Sequence, residues 1–103
     1  MQSAIFDPKF YTIRGETIEL RLIDTYEGGK GVLPFYWWDI ILQSEDKAIG
    51  KISFRIGHND HSYFNGNIGY EIDEEYRGNH YSLLACRLVL PCTKHRIYEL
   101  QIV

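Results

Sequence analysis

The sequence predicts an α+β fold in which a mostly antiparallel mixed sheet of about five strands carries one long helix on one face. Short segments rich in β-branched and aromatic residues follow one another closely, and polar or glycine-rich turns separate them. The hydrophobic period changes to that of a helix only after residue 78. With 103 residues, the chain has room for one core, and we interpret residues 1–103 as a single domain.

Four segments are predicted as consecutive strands of a meander. They are residues 17–23, 35–42, 48–56 and 67–72. Residues 24–34 contain three glycines and a proline and are predicted as a loop. Gly50 weakens the third strand locally and is expected to mark a bulge. Trp37 and Trp38 are neighbours on a strand, so one belongs to the core and the other is a candidate to line a substrate or partner surface.

A helix is predicted from about residue 79. Its apolar residues form one stripe: Tyr81, Leu84, Ala85, Leu88, Val89 and Cys92. Asn79 is predicted as the N-cap, and Pro91 is expected to kink or end the helix. Residues 97–103 are predicted as a final strand with an apolar edge. We therefore expect a homodimer, or a partner chain that pairs at this strand.

Composition and charge exclude several classes of function. The formal charge is −3 and basic residues are not clustered, which disfavours a nucleic-acid partner. No apolar stretch is long enough to span a membrane, and the first residues do not resemble a signal peptide, so a cytoplasmic location is expected. Cys86 and Cys92 are predicted to be reduced core thiols. No metal site is expected, because His58, Asp60 and His61 are interpreted as a polar exposed loop.

The most informative segment is residues 66–92, GNIGYEIDEEYRGNHYSLLACRLVLPC. It places a strand, a charged loop and a helix in succession. The start of such a helix offers unpaired N–H groups and a partial positive charge, at which a phosphate or pyrophosphate can bind. Arg77 can add a charge-assisted contact there, and Gly78 allows the backbone to turn tightly.

This segment resembles the GNAT superfamily, the acyl-CoA-dependent N-acetyltransferases. The hallmark of that family is a strand followed by Arg/Gln-x-x-Gly-x-Gly/Ala at the opening of a helix. Here the six residues run from Arg77 to Ser82, with His80 where the family usually has glycine. The resemblance covers about residues 15–103. It implies an N-terminal, truncated version of the domain, because family members are generally longer.

The resemblance implies an activity and a site. Acetyl-CoA would be the co-substrate, and an amine of unknown identity, either a small molecule or a protein N-terminus, would accept the acetyl group. Tyr70 and Ile72 would offer backbone groups to the pantetheine arm. The pyrophosphate would be held by Arg77, Gly78, Asn79, His80, Tyr81 and Ser82. Glu71 is the candidate general base, acting through water, and the alternative is a solvated strand residue or a salt-bridge partner.

A second function stays open at this point. The chain could be a non-catalytic CoA-binding or interaction module, a half-length GNAT fragment that needs a partner chain. Binding of acetyl-CoA separates these hypotheses from a chain that binds nothing, because a binder gains thermal stability with ligand concentration. The acidic run at residues 73–75 is interpreted as a solvated loop or, alternatively, as a preference for cationic amine substrates.

Overall fold

Residues 6–57 and 67–93 are described in the computed structural model, and they form a five-stranded antiparallel sheet with one α-helix. The sheet order follows the chain: β1 (Thr12–Arg14), β2 (Ile18–Tyr26), β3 (Phe35–Leu42), β4 (Lys47–Arg55) and β5 (Ile68–Ile72). Helix α1 is Tyr81–Val89, and short 3-10 turns lie at Pro8–Phe10, Glu74–Tyr76 and Leu90–Thr93. The predicted α+β class is confirmed. Within the described residues, no helix has the length and apolar character that crossing a membrane requires.

Two strands differ from the prediction by more than one residue at either end. β1 was not predicted, because its three residues are too few to show a period. β2 runs on to Tyr26, so the first three residues of the predicted loop 24–34 belong to a strand. A bulge between Leu22 and Asp24 keeps this extension paired with β3.

Two predictions fall on parts of the chain outside the described residues. One is the final strand at 97–103, with the pairing expected at its edge. The other is the loop that contains His58, Asp60 and His61.

The bulge expected at Gly50 is confirmed. In the pairing of β3 with β4, Ile40 lies opposite Gly50 and Ile41 lies opposite Ala48, so Ile49 is the extra residue. A simple alternation along β4 would turn Ile49 away from the core. The bulge instead places it in the core, where it is fully buried.

The hydrophobic core lies between the sheet and α1. Trp38 is completely buried and Trp37 is 37% exposed, which confirms that the two indoles face opposite sides. The helix contributes the buried side chains Ala85, Cys86 and Val89 and the partly buried Tyr81, Leu84 and Leu88, and Cys92 packs against the same core from the 3-10 turn that follows. The predicted apolar stripe therefore does pack on the sheet.

Both ends of the helix differ in detail from the prediction. Asn79 is not the N-cap. That position is held by His80, which makes no side-chain capping bond, while the Asn79 amide Nδ2 donates to the carbonyl of Tyr76 at 3.2 Å. The α-helix ends at Val89 after nine residues and tightens into a 3-10 turn that contains Pro91. Proline ends the helix as expected, because it lacks the N–H that the next turn needs.

The two cysteines are free, as predicted. Burial raises the pKa of the Cys86 thiol, and it raises the pKa of Cys92 to about 12. Because the thiolate is the reactive form of cysteine, both side chains are protonated and unreactive at neutral pH.

Candidate functional site

The end of β5 and the start of α1 enclose a half-open hollow of about 310 Å³. Its lining residues are Tyr70, Glu71, Ile72, Tyr76, Arg77, Gly78, His80, Tyr81 and Ser82. Eight of the nine predicted site residues are thus brought together around one cavity. The exception is Asn79, whose side chain bonds back to the preceding turn. Sequence reasoning missed Tyr76, although it is the one aromatic residue in the charged loop before the helix.

The outer edge of β5 presents backbone polar groups towards this hollow. Arg55 N–H donates to the Asn67 carbonyl at 2.7 Å, and Asp73 N–H donates to the Ile49 carbonyl at 2.8 Å. Odd-numbered residues of this strand therefore bond to β4, and the N–H and C=O of Tyr70 point to the outer edge. No strand among residues 6–57 and 67–93 pairs with that edge. An extended ligand can add to it as a further strand would.

Arg77 holds the end of β5 against the loop that leads to the helix. Its Nε donates to the carbonyl of Ile72 at 2.8 Å. The Ile72 carbonyl therefore already accepts a hydrogen bond within the protein. Of the two backbone groups of Ile72 that were predicted to contact a ligand, only the N–H is left for this role. The two terminal nitrogens of the exposed Arg77 guanidinium make no hydrogen bond to any described residue, so they can reach a ligand.

Two residues in the left-handed region turn the chain into the helix. Gly78 has φ +86° and His80 has φ +63°. A Cβ on Gly78 would meet no described atom within 4 Å, so glycine is needed there for its backbone angle rather than for space. His80 adopts a backbone angle that glycine takes more readily than other residues.

The first turn of α1 leaves its N–H groups unpaired on the protein side. The first intrahelical bond runs from the N–H of Leu84 to the carbonyl of His80 at 3.1 Å. The preceding N–H groups of Tyr81 and Ser82 have no acceptor in the part of the chain that the structure describes. Both residues line the hollow, and a helix N-terminus carries partial positive charge. The hollow is therefore suited to an anion.

A small network braces the rim of the hollow. The hydroxyl of Tyr76 donates to Glu45 Oε1 at 2.9 Å, across from the β3–β4 turn. The Nζ of Lys47 lies 3.6 Å from Glu75 Oε1 and 5.4 Å from the centre of the Tyr76 ring. The bond to Glu45 raises the pKa of Tyr76, so the phenol keeps its proton. These contacts fix the loop before Arg77 to the body of the sheet.

The candidate base Glu71 lies on the sheet face opposite α1. Its neighbours on β5, Tyr70 and Ile72, face the helix side, and side chains alternate along a strand. The carboxylate is exposed and forms no ion pair with a described residue. In register it lies opposite Lys51, whose Nζ is instead 3.7 Å from Asp39 Oδ1. Among the described residues, no group of three or more His, Cys, Asp or Glu side chains could hold a metal ion.

The chain was also compared with known proteins. No family model matches it, and neither a curated protein nor a solved structure was found to match it. The likeness to N-acetyltransferases therefore rests on the residues of this chain themselves.

Proposed function

We propose that this chain binds acetyl-CoA in the hollow between β5 and α1 and transfers the acetyl group to an amine. One observation carries the proposal: a single cavity of about 310 Å³ combines the unpaired N–H groups of a helix start with a strand edge that no described strand covers, and Glu71 lies at its border. In this proposal the helix start binds the pyrophosphate, the strand edge binds the pantetheine arm, and Glu71 accepts the proton.

The pyrophosphate binds at the start of α1. The N–H groups of Tyr81 and Ser82 and the turn at Gly78 supply donors, and the terminal nitrogens of Arg77 supply positive charge. The net charge of the protein is −3, so this local field, rather than a basic surface, must attract the ligand. The pantetheine arm then extends along β5, where its amides pair with the outward N–H and C=O of Tyr70.

The chemical step is direct attack of a neutral amine on the thioester carbonyl carbon. A C–N bond forms, the C–S bond breaks, and the thiolate of CoA leaves and takes up a proton. Glu71 accepts the proton of the amine through a water molecule. The outward N–H of Ile72 polarises the carbonyl in this proposal, and the chain contributes mainly orientation and electrostatic stabilisation.

A second candidate is a module that binds acetyl-CoA without turnover. The exposed position of Glu71 favours it, because water is not excluded from the proton acceptor. Release of CoA thiol in the presence of a panel of amines distinguishes the two. Turnover that falls in Glu71→Gln supports the transferase, and binding without release supports the module.

Arg77→Ala is expected to weaken acetyl-CoA binding about tenfold, because it removes a charge-assisted contact to the pyrophosphate. Arg77→Lys keeps the charge but loses the planar fork, and an intermediate affinity is expected. Calorimetric titration measures the affinities, and a thermal shift that rises with ligand concentration confirms binding.

Arg87→Ala is the matched control for this series. Arg87 is an exposed cation of the same helix and does not line the hollow, so its loss should leave the affinity unchanged. An absence of any thermal shift at millimolar acetyl-CoA would discard both the transferase and the binding module.

A further inference from the structure

The sheet face opposite α1, which we call the open face, carries a line of alternating charges across four strands. Arg21 of β2 is paired with Asp39 of β3. Asp39 is also paired with Lys51 of β4, and Lys51 is paired with Glu71 of β5. Directly paired residues point to the same side of a sheet, so these four side chains form one line, the charged row. Its signs run plus, minus, plus, minus, and all four side chains reach solvent.

The charged row is complementary to itself under a two-fold rotation. Let a second copy face the first, with the two-fold axis parallel to the strands and midway between β3 and β4. Asp39 then lies over Lys51 of the second copy, and Arg21 lies over Glu71 of the second copy, and both contacts recur across the axis. An axis along the row, or one centred on β3 or on β4, places like charges on each other. The charges therefore select a single orientation.

The same rotation brings together an aromatic ring and a cation that have no such partner among the described residues. The indole of Trp37 is exposed and makes no ring contact there. The guanidinium of Arg55 lies over Gly69, with Nη1 3.6 Å from where a Cβ would be. Burial alone lowers the pKa of Arg55, which reflects the lack of a carboxylate beside it.

The position of Arg55 suits the indole of a second copy. Trp37 is paired with Ser53, and Ser53 is paired with Gly69. In the orientation that the charges select, Trp37 faces Ser53 of the second copy, one strand away from the Arg55 guanidinium over Gly69. Arginine stacks on the face of tryptophan, so each copy supplies the partner that the other lacks.

The size of the open face indicates a weak contact. Four strands about 4.8 Å apart and the eight residues of β3, at about 3.4 Å each, give a face of roughly 19 Å by 27 Å. Both faces together amount to about 1,000 Å², below the range of about 1,200–2,000 Å² for stable specific interfaces. Packed sheets also cross at about 30°, which is small enough for long side chains to meet across the contact.

We propose that the open face is the contact surface of a symmetric, reversible homodimer in which two sheets pack face to face. The charged row fixes the orientation, and the two contacts between Trp37 and Arg55 add attraction. This contact differs from the edge pairing expected for residues 97–103, and it does not depend on acetyl-CoA. Of the charged row, only Glu71 lines the hollow at α1, and it lies at the rim, where water reaches it.

Sedimentation of the full chain over a series of concentrations tests this proposal. The monomer has a mass of 12.1 kDa, and we expect the average mass to rise towards twice that value between micromolar and millimolar protein. A chain that stays monomeric at millimolar concentration overturns the proposal.

Exchange of charges in the row tests the orientation. Asp39→Lys and Lys51→Glu are each expected to raise the dissociation constant about tenfold, because like charges then meet twice in every dimer. An equimolar mixture of these two variants restores every unlike contact, so it should form a heterodimer with the original affinity. The chain that carries both substitutions should also dimerise normally, since its charges are again complementary.

Trp37→Ala tests the second contact and should weaken association about tenfold, because two stacked pairs are lost. Leu83→Ala is its matched control, since Leu83 is an exposed apolar residue of α1 on the other side of the sheet. Circular dichroism confirms that all variants are folded. The proposal is refuted if the mixture associates no better than each charge variant alone, or if Trp37→Ala and Leu83→Ala dimerise equally well. A dimer that no open-face variant weakens uses another surface and refutes it too.

Discussion

Gly50→Ala is expected to lower the free energy of unfolding by about 3 kcal/mol and to abolish binding of acetyl-CoA. A Cβ at this position would overlap the carbonyl oxygen of Glu71 and come within 3.0 Å of the Ile72 Cα. Both are backbone atoms, so no rotamer change can relieve the contact. β5 must move away from β4, and the bond of 2.8 Å from Asp73 N–H to the Ile49 carbonyl must stretch.

The same displacement reaches the proposed site, because Glu71 and Ile72 line the hollow. Gly69→Ala is the control on the same pair of strands. Its Cβ would approach only side-chain atoms of Arg55 and Ser53, at 3.6 Å, so a change below about 1 kcal/mol is expected. Urea unfolding of both variants and a thermal shift with acetyl-CoA test this, and equal stabilities would contradict the close approach of β5 to Gly50.

Trp38→Ala is expected to lower the free energy of unfolding by about 3–5 kcal/mol. The indole is completely buried and stacks on the ring of Tyr36, with 5.1 Å between centroids. Its Nε1 donates to the carbonyl of Phe10 at 2.8 Å, and the hydroxyl of Tyr36 accepts from the Asp7 N–H at 2.7 Å. Truncation therefore leaves a cavity and also loosens the segment that leads into β1.

Trp37→Ala is the control for this variant. The neighbouring indole is 37% exposed and lies on the open face, so its loss should cost less than about 1 kcal/mol. Urea unfolding measures both, and limited proteolysis of Trp38→Ala should cut first near residues 6–14. Similar losses of stability in the two variants would mean that the core is not on the side where Trp38 lies.

The sequence predicted best the strands whose own residues favour β-structure. β3 was predicted with its observed bounds, because a dense run of aromatic and β-branched residues begins after Pro34 and ends before a polar turn. β1 and the end of β2 were missed, since they exist only through pairing with neighbours. The prediction of Asn79 as the N-cap was wrong, because its side-chain amide donates instead to the Tyr76 carbonyl in the preceding turn.

The hollow at α1 was predictable because its residues are contiguous in the chain. A strand, a loop and a helix in succession bring Tyr70 and Ser82 to one cavity without any knowledge of the rest of the sheet. The hollow of about 250 Å³ on the open face that includes Trp37, Ser53 and Gly69 was not predictable in this way, because the pairing of three strands brings these residues together.

The central claim is that the backbone at the start of α1 binds the pyrophosphate of CoA. Nuclear magnetic resonance of the isotope-labelled protein, titrated with CoA, reports on each amide directly. Saturable shifts of the N–H signals of Gly78, His80, Tyr81 and Ser82, joined by that of Tyr70 on the strand edge, are the result expected. Shifts confined to other residues, or none at millimolar CoA, would contradict the claim.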